Sequence, residues 1–166
     1  MTLDIAIDAD PEWDSSIAPS LVAAAEAAVA ESAFPLLATA ARTVEIAVRL
    51  TGDAEVRGLN ARWRGKDSAT NVLSFPLAEA EELEAADGNG PELLLGDVVL
   101  ARGVCAAEAA DKGIALAAHA AHLVVHGTLH LLGDDHDDDD AAETMEAREV
   151  RALARLGIAD PYGDRG

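Results

Sequence analysis

Polar and apolar residues alternate with a period of two where Leu3, Ile5 and Ile7 face Asp4, Ala6 and Asp8, and again over residues 43–50 (TVEIAVRL). Both stretches are expected to be strands with one buried face. A third strand is expected over 72–75, ended by Pro76, which has no N–H for a ladder. A fourth covers 93–100, an apolar run broken at Gly96-Asp97. Between the strands the period lengthens. Residues 16–33 form an alanine-rich helix with Pro19 in its first turn, where the missing N–H is harmless; Pro35 interrupts it, and a short helical piece continues to 41. Residues 53–63 place Val56, Leu59 and Trp63 on one side of a short amphipathic helix. A helix over 101–112 ends at Gly113, and another over 140–156 starts on a capping-box-like Asp140/Glu143 pair and ends at Gly157. The connections are a loop at 10–16 containing Trp13, a polar loop at 64–71, an acidic segment at 77–91 expected to be solvated and mobile, and a tail, IADPYGDRG.

The segment 115–132 differs from all of these. Its Leu123, Val124, Val125, Leu129, Leu131 and Leu132 point in nearly every direction, the mark of a central, buried helix. At about 100° per residue, His119, His122, His126 and His130 share an arc of about 80°, so one stripe of that helix is polar. Four strands and about five helices, without repeats or a linker, predict one α+β domain over residues 1–166.

Composition narrows the setting. The 166 residues suffice for one core, and with 3% aromatic residues it must be filled by alanine, leucine and valine. A single cysteine, Cys105, excludes an internal disulfide and fits a reducing compartment. The opening MTLDIAIDADPEW has neither a basic region nor a long apolar run, so no signal peptide is expected. No membrane span is expected either, because the richest apolar stretch carries four histidines. A cytoplasmic protein is expected. The net charge of −19 argues against nonspecific nucleic-acid affinity. Six of the twelve basic residues, however, fall between 42 and 66 (Arg42, Arg49, Arg57, Arg62, Arg64, Lys66) against three acidic ones. That window is +3 and the remainder −22, so any phosphate-binding face is local, whereas the acidic remainder suits basic protein partners.

The chemistry concentrates in HGTLHLLGDDH, residues 126–136. His126 and His130, four apart, leave one helix face about 6 Å apart at Cβ. Gly133 can take a left-handed turn that returns His136 toward them. Three neutral imidazoles leave one tetrahedral position of a zinc ion open, as in catalytic rather than structural sites. The residue after the first histidine is Gly127, where helix-borne HExxH peptidases carry a glutamate base, which weighs against peptide hydrolysis. Gly127 admits the close approach of either a substrate backbone or a packed strand. His122 is either a cleft residue or a hydrogen-bonded core histidine. Asp135 is open to three roles: orienting a ligand imidazole, accepting a proton, or simply ending the helix. The acidic run 137–140 is not a calcium loop, since the sixth and twelfth positions counted from Asp134 are Asp139 and Met145 rather than glycine and glutamate.

These residues resemble a known family. HGTLHLLGDDH is similar to the HGxLHLxGYDH signature of the bacterial YbeY family of rRNA maturation factors, described as metal-dependent endoribonucleases. LNARWRGKDSATNVLSFP (59–76), LLGDVVLA (94–101) and DPYG (160–163) match it in order. The resemblance implies a mixed four-stranded sheet packed against helices with the histidine helix central, in a zincin-like hydrolase arrangement. It implies one Zn²⁺ per chain on His126, His130 and His136, and a functional arginine at Arg64. A metal and a forked guanidinium suit the charge of a phosphodiester transition state. Arg62 and Lys66 are then expected to steer the RNA backbone, and Asp135 to take part in proton transfer. The implied activity is single-strand-specific cleavage in rRNA maturation (16S rRNA 3′ end) and ribosome quality control, with ribosomal RNA and ribosomal proteins or assembly factors as partners and the oligomeric state open. The alternatives are a zinc hydrolase of another substrate and a non-catalytic assembly factor with a structural metal. One departure is visible: the signature's tyrosine is Asp134 here.

Overall fold

The computed structural model describes residues 3–40, 42–84 and 91–162. Four strands, β1 (Leu3–Ala9), β2 (Val44–Thr51), β3 (Val72–Pro76) and β4 (Leu93–Ala101), form one sheet in the order β1-β2-β4-β3. β1 and β4 run parallel to β2, and β3 runs antiparallel to β4 at the edge, so the sheet is mixed. The helices are α1 (Ala18–Glu31), α2 (Asp53–Arg64), α3 (Ala80–Glu84), α4 (Arg102–Lys112), α5 (Leu116–Leu131) and α6 (Asp139–Arg155).

α5 packs on β3, β4, α1, α4 and α6, which is why its apolar residues point all round. Eleven of its residues are buried, and the main core lies between it, α1 and one face of the sheet. Successive residues of β4 serve different layers: Val98 and Leu100 join this core, while Val99 and Ala101 join a smaller cluster with Val56 of α2 and Leu73. No single helix among the described residues is long and apolar enough to cross a membrane.

The break anticipated at Gly96-Asp97 is a bulge within β4: Glu45 pairs with Leu94 but Ile46 with Gly96, and Gly96 takes φ +143. Three expectations need correction. The acidic segment after Pro76 is not wholly a loop, because α3 buries Leu83; residues 85–90, where mobility was expected, lie outside the described residues. The last helix starts on Asp138, whose carboxylate accepts from Ala141 N at 2.8 Å, rather than on an Asp140/Glu143 box. Trp63 does not join the apolar side of α2 and is 65% exposed. The loop residue Trp13, in contrast, is buried and donates Nε1–H to Thr51 O at 2.9 Å.

Candidate metal centre and cleft

α5 holds His126 and His130 one turn apart, both half-buried. The helix is stopped by Gly133 at φ +96. Gly133 N donates to His130 O at 3.1 Å and Asp134 N to Leu129 O at 3.0 Å, the paired bonds of a Schellman turn. The chain reverses there and carries His136 back. Ring centroids lie 4.6 Å apart for His126 and His130, 5.2 Å for His130 and His136, and 5.9 Å for His126 and His136. One nitrogen from each ring falls within 4.8 Å of the others.

The partners of the rings fix which nitrogens are available. His130 Nδ1 is 2.9 Å from Asp134 O, a carbonyl that only accepts, so Nδ1 carries the proton. His126 Nδ1 is 3.3 Å from the Glu149 carboxylate and donates to it in the same way. Both Nε2 atoms therefore present lone pairs, and they face each other at 3.1 Å. Two acceptors that close need a cation or a shared proton between them. Zn–N bonds of about 2.0–2.1 Å in a tetrahedron set neighbouring nitrogens about 3.3–3.4 Å apart, close to this spacing. Burial, followed by the charge of His126, pushes the His130 pKa down to about 4, which keeps the ring neutral near pH 7. The donor set fits a divalent ion held by imidazole.

Glu149 is the functional residue that the sequence reading missed. It is 1% exposed, on the inward stripe of α6 with Met145, Ala152 and Leu153. Its Oε1 lies 2.7 Å from His122 Nε2 and accepts the hydroxyl of Tyr162 at 3.0 Å, besides His126. Burial opposes its ionisation, but the bonds from His122 and His126 outweigh this and hold its pKa at about 2. A glutamate at a buried stripe position of an amphipathic helix was the available signal. His122 is thus a hydrogen-bonded core histidine, and His119 is likewise tied, to Glu108 at 2.8 Å. Asp135 is exposed and accepts from Asp137 N at 3.3 Å, so the groups that orient the clustered rings are Glu149 and the Asp134 carbonyl.

The three histidines open onto a cleft of about 610 Å³ whose lining includes Arg64, Lys66, Asn71, Ser74 and Asp135. Arg64 ends α2 before Gly65, which takes φ +70, and its guanidinium donates to Ser74 O at 3.2 Å. Arg62 is exposed on α2 outside this lining. A Cβ on Gly127 would meet Val98 Cγ1 at 2.8 Å, so of its two readings the structure gives the packed strand.

A family model described as Endoribonuclease YbeY matches residues 13–157. The chain belongs to the YbeY family. It is 53% identical to the Endoribonuclease YbeY of Sphingopyxis alaskensis, over 98% of this chain and 99% of that one, and 49% identical to that of Erythrobacter litoralis, over 99% of each. The solution structure of TM1509 from Thermotoga maritima, 21% identical, superposes with a TM-score of 0.55 over 96% of this chain and 95% of its own, and so shares the fold. Against the YbeY signature, Asp134 in place of tyrosine forms an ion pair with Arg148 and stays outside the cleft lining. What it gives to His130 is a backbone carbonyl, which any residue supplies.

Proposed function

We propose that this chain is a metal-dependent endoribonuclease cutting single-stranded RNA in the maturation of ribosomal RNA, at the 3′ end of 16S rRNA, and in ribosome quality control. What carries this reading is the pair of mutually facing His126 and His130 lone pairs, with His136 beside them, on the wall of a cleft that also holds an arginine. We read the ion as zinc, one per chain, held by His126, His130 and His136; when bound it supplies Lewis-acid activation of water and phosphate. Arg64, steadied by Ser74 O, offers its remaining N–H groups to the nonbridging oxygens. Asp135 takes the proton of the attacking group in this reading, which its exposure at the cleft supports. Lys66 steers the backbone inside the cleft and Arg62 from outside it. The acidic remainder of the surface suits basic ribosomal proteins, and the lone Cys105 suits the cytoplasm. Residues 1–166 act here as one hydrolase domain.

Incubation with single-stranded RNA and with a peptide library, with and without chelator, tests this. The expected result is chelator-sensitive RNA cutting that disappears in His130→Ala, with peptides untouched. RNA cutting that survives His130→Ala, or chelator-sensitive peptide cleavage, would overturn it.

A further inference from the structure

α2 buries Val56 and Asn60, yet Trp63, three residues on, presents most of its indole to water. Burying so large an apolar ring is favourable, so leaving it out forgoes a stabilisation. Its surroundings are not those of an apolar protein-docking patch. Of the six basic residues between 42 and 66, Arg49 is held by Asp8, Asp10 and Glu55, Arg57 by Asp67, and Arg42 by the carbonyl of Pro91. Arg62, Arg64 and Lys66 have no carboxylate partner among the described residues. All three lie within three residues of Trp63 in the chain.

The position of the ring follows from helix geometry. Asn60 and Arg64 both line the cleft. At about 100° per residue, Trp63 projects about 60° from Asn60 on the side away from Arg64, so it stands beside the cleft and is not among the residues that line it. A flat aromatic face beside the cleft, next in the chain to cations that no carboxylate of the described residues neutralises, suits a polymer with aromatic rings on an anionic backbone. We infer that Trp63 is a stacking platform for one unpaired nucleobase of RNA leaving the cleft, with Arg62 and Lys66 on the flanking phosphates. Bases of a duplex are already stacked and have no face to offer, so this platform selects single strands. The inference rests on the nuclease reading above and assigns it a subsite.

Trp13 is 3% exposed, so a ligand-dependent change in tryptophan emission reports on Trp63. A single strand added to the chelator-treated wild-type protein, where it is not cut, should quench the emission, and the same sequence in a duplex should quench it much less. In Trp63→Ala the quench should vanish, the oligonucleotide should bind about ten-fold more weakly, and KM for cleavable RNA should rise while kcat changes little. Trp63→Phe should recover most of the affinity, since phenylalanine still stacks. Unchanged affinity and KM in Trp63→Ala, or equal quenching by the duplex, would overturn the stacking site while chelator-sensitive, His130-dependent cutting left the nuclease reading standing. Cutting that survives His130→Ala would remove the nuclease reading itself.

Discussion

Oε1 of the buried Glu149 lies 3.3 Å from Nδ1 of His126 and 2.7 Å from Nε2 of His122, so one carboxylate of α6 orients a ring of the metal cluster and anchors a core ring one turn away. It fixes the His126 tautomer and raises the basicity of its Nε2. Glu149→Gln keeps the shape but removes the charge. Metal affinity, measured by competition with a chelator, should fall about 10–100-fold. Unaltered affinity would mean that the carboxylate serves only the core.

Arg64 should act on the chemistry and not on the metal. Its guanidinium touches Ser74 O and no histidine of the cluster. Removing one donor to a developing anionic charge costs about 10²–10³ in kcat. Arg64→Ala is expected to lose that much while the metal content stays as in the wild type, and Arg64→Lys to recover only a part, because an ammonium lacks the fork. Loss of the metal in Arg64→Ala would contradict the assignment.

Gly127 predicts a reversal of sign. Alanine there would press on Val98 at 2.8 Å, and β-branched valine cannot rotate away cheaply. Gly127→Ala should destabilise by about 1–3 kcal/mol, seen as a drop of several degrees in Tm. In a Val98→Ala background the clash is gone, and the same change should stabilise by up to about 1 kcal/mol through helix propensity. The same effect in both backgrounds would refute the packing account.

Acid should unfold the metal-free protein in two overlapping steps. His130 titrates at about 4 when folded, against an ordinary value of 6.5, because it is buried. The unfolded chain therefore binds the extra proton first, and stability falls as pH drops from 6.5 toward 4. Glu149, depressed from 4.5 to about 2, contributes stability that is present above 4.5 and lost below it. Tm against pH should slope downward below 6.5, and His130→Asn should flatten the upper part of that slope. A Tm independent of pH between 6.5 and 4 would exclude the His130 contribution.

The sequence by itself determined the strands, the long helices and half of the centre, but not α3. Period-two alternation marked β1 and β2, a short stretch ended by Pro76 marked β3, an apolar run marked β4, and an apolar pattern broken only by one histidine stripe marked α5, which is packed on several sides. His126 and His130 were legible because helix geometry alone sets a four-residue spacing, and Gly133 because a left-handed turn has one preferred residue. Only the tertiary structure decided the rest. Glu149 lies 23 positions from His126 in the chain, and they meet only because α6 packs on α5. Which cations stay unneutralised depended on Arg49 and Arg57 finding acids elsewhere in the fold. Gly127 was ambiguous until Val98 of β4 lay against it, and Trp63, on the same side of α2 as the buried Val56, is exposed near the helix end. Local periodicity specifies which face of an element is apolar; what each face meets is set by packing between segments distant in the chain.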